Sequence, residues 1–162
     1  MASVLPIVTF LAALGSGLMS GFFLAFSVCV MWALGRIQPA SGIAAMQAIN
    51  VVVLNPVFLG TFLGTAILTL VLAIAALAGW SEPVSGYLLA GSVLYFAGTF
   101  LVTVVFNVPL NNRLAAVKPE SAEGKAVWTY YLRVWTAWNH VRTVAPLAAT
   151  ACFILAISKM WG

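Results

Sequence analysis

Fifteen residues, Trp128 to Arg142 (WTYYLRVWTAWNHVR), gather most of the side chains in this chain that can do chemistry: its single His, three of its six Trp and two of its seven Lys and Arg. At 3.6 residues per turn, Trp128, Leu132, Trp135, Trp138, Asn139 and Arg142 share one stripe of a helix. Thr129, Arg133, Thr136 and His140 share a second, polar face. An aromatic stripe that ends in Asn and Arg can hold a flat ligand against its rings and a polar group at its foot. The same Trp residues also suit an aromatic belt at a membrane surface.

Two further stretches bring amides, which donate and accept hydrogen bonds at once and so suit a ligand carrying carbonyl and hydroxyl groups. IAAMQAINVVVLNP places Gln47 and Asn50 on adjoining turns of a short helix, and FNVPLNNRL places Asn107 and Asn111 four apart, followed by Asn112 and Arg113. Each group has a plainer reading. Gln47 and Asn50 suit a solvated membrane end, and the Asn cluster suits the free carbonyls of a helix C-terminus.

The elements that must carry these residues follow from composition. With 64% hydrophobic and 6% charged residues, the chain lies far from soluble usage, where about a quarter of residues are charged. It reads as an all-α integral membrane protein, a four-helix bundle in a single domain over residues 1–162, with a long fourth helix projecting from the membrane. The spans are expected at about 4–34, 52–78, 87–106 and 141–157, with a polar loop at 112–126. The opening MASVLPIVTF lacks a basic n-region and runs into an apolar stretch too long for a signal sequence, so it reads as a retained first span.

Along the chain, Gly17 and Gly21, and later Gly60 and Gly64, have the GxxxG spacing of closely packed helices. Phe22, Phe23 and Phe26 follow the first pair, and the change from small to bulky side chains fits a cavity edge or simple packing. GRIQPASG breaks the helix, and Pro56 either kinks or restarts the next one. Trp80 to Gly86 reads as a tight polar turn joining antiparallel neighbours. Ser121 is placed to cap the last helix, which contains Pro146, a position for a bend.

Four spans put the first and third connections on one side. Arg36, Arg113, Lys118, Lys125, Arg133 and Arg142 fall there against Lys159 on the other, so that side is expected to be cytoplasmic and both termini outside, in a bacterial inner membrane. Whatever the orientation, Gln47, Asn50, Asn107, Asn111, Asn139 and Arg142 belong to one end of the bundle.

Several chemistries are excluded. The chain has no Asp, and Glu82, Glu120 and Glu123 are in loops, which leaves neither a carboxylate relay for an ion-coupled transporter nor a Ser/His/Asp triad. One His cannot make a bis-His haem or a multi-His metal centre, so no metal site is read. Cys29 and Cys152 sit apart in apolar segments and form no redox pair. A net charge of +4 dispersed among apolar segments makes no nucleic-acid surface.

The order FSVCVMWAL, MQAIN, FNVPLNNRL and WTYYLRVWTAWNHVR resembles the anthrone oxygenase-like family of small membrane proteins, which includes fungal noranthrone monooxygenases. The similarity covers nearly the whole chain, and its most specific parts are Asn107 to Leu114 and Trp128 to Arg142. It implies a four-helix membrane bundle and, for the characterised branch, oxidation of an anthrone to an anthraquinone by O2 without metal or flavin. Fold carries over from such a resemblance better than reaction does.

The residues can be matched to that reaction. Loss of a proton from an anthrone leaves an electron-rich enolate that reduces O2 and recombines to a peroxide, which loses water to give the quinone. His140 is the side chain of the right type to act as base. Arg142, Asn139, Asn107 and Asn111 would stabilise the anion, while Trp135 and Trp138, with Gln47 and Asn50, would hold the rings and their oxygens. His140 projects about 100° from Asn139 round the helix, so a solvated interfacial His is the competing assignment. The expected partners are thus a planar aromatic small molecule, with O2 as co-substrate and no cofactor, and membrane lipid; a homo-oligomer is compatible with the sequence, and nucleic acid is not expected. The competing function is a non-catalytic membrane binding or assembly subunit for a hydrophobic ligand or partner protein. A quinone-handling redox role would lack its own electron carrier.

Overall fold

Four helices form here because long apolar runs must satisfy their own backbone polar groups once water is gone. The computed structural model describes residues 4–79 and 84–161. It contains α1 (Val4–Leu34), α2 (Pro39–Val52), α3 (Pro56–Ala78), α4 (Ser85–Ala115) and α5 (Ala122–Trp161). All but α2 are long and apolar enough to cross a membrane. The protein is an all-helical integral membrane bundle. Most of the expected turn at Trp80 to Gly86 lies outside the described residues.

The helix starts follow local chemistry. Asn55 Oδ1 accepts from the backbone N–H of Val57 and Phe58 at 3.1 and 3.0 Å, and Pro56 occupies the first turn, where no donor is missed. Pro56 therefore restarts the chain as α3 and does not kink a single helix. Ser121 Oγ accepts from the Gly124 N–H at 2.9 Å and caps α5. Helix α4 continues through Asn112 and Arg113 to Ala115, so the polar connection is shorter than the 112–126 stretch suggests. Pro146 sits inside α5, which continues on both sides of it; Pro146 has no N–H to offer the Arg142 carbonyl.

In cross-section, α5 packs between α1 and α4, and α3 packs against the same two helices. One core runs through the bundle, with Phe23, Phe62, Leu72, Leu88, Tyr95 and Phe153 among its largest members. A second core, containing Ile43, Met46, Leu114, Trp128, Tyr131 and Trp135, lies where α2 folds across one end.

Close approach occurs at glycines other than the expected pairs. A methyl group at Gly91 would meet the Phe153 ring at 2.6 Å, and one at Gly15 or Gly98 would collide with Thr65 or Ala145. At Gly21, Gly60 and Gly64 nothing lies within 4 Å, and at Gly17 only ordinary contact with Thr150. The GxxxG spacing thus marks no tight seam here. Small residues permit close packing, but which ones are used depends on where the helices cross.

Two helices are locally widened. The bonding shifts to an i→i+5 pattern at Phe26–Val30 in α1 and at Phe96–Leu101 and Thr103–Asn107 in α4. In a regular helix, residues four apart drift about 40° round the axis per step. A π-turn, with roughly 4.4 residues per turn, drifts by a similar angle the other way. The step from Thr103 to Asn107 thus drifts one way and the step from Asn107 to Asn111 the other, which leaves Thr103 and Asn111 on the same side of α4.

Candidate functional site

A cavity of about 380 Å³ opens at the α2 end of the bundle, within the ~300–1,000 Å³ typical of small-molecule sites. Phe22, Phe23 and Phe26 of α1 form one apolar wall, Met46, Ile49 and Phe58 of α2 and α3 another, and Val108 and Ala115 of α4 a third. Its polar lining comes from Gln47, Asn50, Thr103, Asn111, Asn112 and Arg142, beside the Trp135 ring. Val51, near the end of α2, and Val53 and Leu54, in the connection from α2 to α3, line its rim.

Arg142 dominates the site. It is 4% exposed, and among the described residues no carboxylate pairs with it. One terminal nitrogen donates to Asn139 Oδ1 at 2.8 Å, the other reaches Thr103 Oγ1 at 3.3 Å, and Nε has no partner. The guanidinium lies over the rings of Phe23 and Trp135, at 4.4 and 4.9 Å from their centroids. Ring faces attract a cation but do not replace a counter-anion.

The other polar groups hold this arrangement in place. Fully buried Asn139 donates to the Phe23 carbonyl and to Ser27 Oγ, both at 2.8 Å, so it fixes α5 to α1 while accepting from Arg142. Asn111 Oδ1 accepts from Tyr131 Oη and Trp135 Nε1, each at 2.8 Å. Asn111 lines the cavity, and its amide nitrogen donates to no other described residue. Buried Asn107 donates to the Trp135 carbonyl at 3.2 Å, and its own oxygen has no partner. Asn50 lines the cavity with its Nδ2 unpaired.

Gln47 does two jobs. It lines the cavity, and its Nε2 donates to the carbonyls of Leu114 and Val117 at 2.9 and 3.0 Å. The carbonyls of Leu114, at the end of α4, and of Val117, just past it, are thus met from α2, and not by the nearby Asn cluster.

Of the residues singled out in the sequence, Gln47, Asn50, Asn111, Trp135 and Arg142 line the cavity, while Asn107 and Asn139 stand behind it and hold its wall. Two lie elsewhere. His140 is exposed and lines a separate outer groove with Arg36 and Arg133; it is about 140° round the helix from Trp135 and cannot share its face. Trp138 stacks on Phe106, with ring centroids 3.7 Å apart, and takes no part in the lining. It projects about 60° from the Trp135 line, at the edge of the aromatic stripe. Arg142, counted among the surface charges of that end, is inside the bundle.

Sequence reasoning passed over Thr103, Phe58, Met46 and Tyr131. Thr103 was findable, since Thr99, Thr103, Asn107 and Asn111 recur every four residues. Tyr131 lies closer to the Trp135 line than Trp138 does, three residues from Trp128 and four from Trp135.

The arrangement offers a fixed cation, neutral amide donors and aromatic walls, and among the described residues no His or carboxylate lines the cavity. Among the described residues, no three His, Cys, Asp or Glu come together as a metal set.

No curated protein and no solved structure matches the chain. A family model, described as anthrone oxygenase, matches residues 57–152, more than half of the sequence. The matched segment carries Phe58, Thr103, Asn107, Asn111, Trp135, Asn139 and Arg142. The chain belongs to the anthrone oxygenase family.

Proposed function

We propose that the protein is a cofactor-independent membrane monooxygenase that binds a planar polycyclic phenol, in its anthrone form, and promotes its oxidation by O2 to a quinone. The observation that supports this reading best is Arg142: a buried cation without a counter-anion among the described residues, facing an apolar cavity of ligand size. Buried charges are normally paired, and an enolate or phenolate oxygen would complete this one.

In this mechanism the anthrone lies against Trp135 and the Phe wall, with its oxygen toward Arg142 and its ring hydroxyls toward the amides of Asn50 and Asn111. Arg142 lowers the free energy of the enolate, so a C–H proton leaves to water at the cavity mouth without a strong base in the wall. The enolate transfers one electron to O2, and the resulting radical pair joins to form a C–O bond. The peroxide takes up a proton and then loses water as its carbon becomes the second carbonyl. One anthrone and one O2 give one quinone and one water. The basic residues at this end, Arg36, Arg113, Lys118, Lys125 and Arg133 against Lys159 at the other, support a cytoplasmic placement of the cavity end and an inner-membrane location.

The lack of a titratable base in the wall is also what a non-catalytic ligand-binding or assembly subunit would have. O2 uptake with a simple anthrone separates the two readings, using detergent-purified wild type, Arg142→Ala and His140→Ala. An oxygenase should accelerate uptake over empty micelles, lose roughly 10²–10³ of that acceleration without the Arg, and keep it without the His. Anthrone binding without acceleration would favour the binding subunit.

A further inference from the structure

The outer groove that contains His140 lies on the face of α5 turned away from the cavity, against the end of α1. It has a volume of about 520 Å³. Met31 and Leu132 give it an apolar floor, and Trp32, Arg36, Arg133 and His140 edge it. Among the described residues no carboxylate lines it and neither Arg has an acidic partner. The Arg36 guanidinium lies over the Trp32 ring, 5.9 Å from its centroid.

The depth of this groove is set by the helices that form it. The exposed aliphatic and Phe side chains of α1 run from Val4 to Val28, with exposed Trp32 one turn further on at the groove; Val4 to Val28 is about 36 Å at 1.5 Å per residue, enough for a hydrocarbon core of about 30 Å. The groove begins just beyond, at Met31. On α5 the change comes at the same level, where exposed His140 gives way to the exposed apolar Val141, Val144 and Leu147. Two guanidiniums, one from the turn that follows α1 and one from α5, thus stand where phosphates lie, above an apolar surface continuous with the lipid-facing side of the bundle.

The geometry points to this groove as a binding site for an anionic phospholipid, with the phosphodiester between Arg36 and Arg133 and an acyl chain running along the apolar face below. A zwitterionic lipid would bring its own cation beside two Arg side chains. A free phosphate would leave the apolar floor uncovered. The groove also gives a setting to His140 that the cavity does not.

The test is titration of the detergent-purified protein with phosphatidylglycerol and with phosphatidylcholine of the same chains, with bound lipid counted by native mass spectrometry. Each Arg near an anionic surface contributes about fivefold to affinity, so Arg36→Gln/Arg133→Gln should bind phosphatidylglycerol roughly 30-fold more weakly. Lys118→Gln/Lys125→Gln removes the same charge from the same end and should change binding less than threefold. Ala137→Trp fills the groove without altering charge and should also weaken phosphatidylglycerol, which keeps the idea testable if the Arg pair proves hard to purify. Equal weakening by the Lys and Arg pairs would reduce the effect to general surface charge and overturn the site. So would equal affinity for the two lipids, or displacement of phosphatidylglycerol by millimolar inorganic phosphate.

Discussion

If the charge on Arg142 is held in reserve for an anionic ligand, giving it a partner inside the protein should abolish its function without removing it. Asn139→Asp does this, because Asn139 Oδ1 already lies 2.8 Å from the Arg142 guanidinium. A carboxylate there would sit about 5 Å from an enolate oxygen bound to the free side of Arg142, and at an effective dielectric of about 20 the repulsion is about 3 kcal/mol. That corresponds to roughly a 150-fold loss in kcat/KM for the anthrone. The fold should survive. Aspartate can no longer donate to the Phe23 carbonyl, a cost of about 1–3 kcal/mol, but the Ser27 hydroxyl can turn to donate to it and the Arg–Asp contact becomes charge-assisted. The expected signature is a small fall in thermal stability, a large fall in anthrone-dependent O2 uptake, and affinity for the neutral quinone product within threefold of wild type. A folded Asn139→Asp protein with kcat/KM within threefold of wild type would refute the reasoning, and Arg142 would then act through shape or hydrogen bonding and not through net charge.

Two stability predictions follow from the helix contacts. Gly91→Ala should lower the detergent melting temperature, by about 1–3 kcal/mol of overpacking against Phe153, whereas Gly64→Ala, with nothing within 4 Å, should be neutral or stabilising by about 0.5–1 kcal/mol; the reverse order in thermal unfolding would contradict the described crossings. Gln47→Leu should strand the Val117 carbonyl and leave that of Leu114 with only a long bond from the Val117 N–H at 3.4 Å, at a cost of about 1–3 kcal/mol, and loosen α2, read as faster hydrogen exchange at 43–50 together with weaker anthrone binding; unchanged exchange there would show that Gln47 is not what ties α2 down.

The bundle is legible in the sequence because four long apolar runs leave no other way to satisfy the backbone in lipid. The grouping of Gln47, Asn50, Asn107, Asn111, Asn139 and Arg142 at one end is legible for the same reason, since span topology alone puts them there. What each does there is not. Gln47 and Asn50 are three residues apart on one short helix, yet one ties down the end of α4 and the other presents an unpaired donor. The difference arises from how α2 lies across the bundle, which its own sequence does not encode. The π-turns of α4 carry no residue signature, so the regular helical angle sets Thr103 and Asn111 about 80° apart, although both line the cavity. Along α5 the angle works well, and it fails for Trp138 only because 60° from the centre of a stripe is already its edge.

The rim of the cavity has a consequence for how its occupancy is set. Val51 and Leu54 are 74% and 64% exposed, and their neighbours Val52 and Val57 are 71% and 80% exposed, so the opening is surrounded by side chains suited to hydrocarbon. A site filled from lipid responds to the mole fraction of ligand in the bilayer or micelle, not to its amount per litre of buffer. Adding detergent at constant total ligand then dilutes the substrate as effectively as adding water does for a soluble enzyme. A KM expressed in molar units would belong to the preparation as much as to the protein. In the proposed reaction product is subject to the same rule: an apolar quinone released at this rim would stay in the phase from which the next substrate arrives, and compete with it until something else removes it.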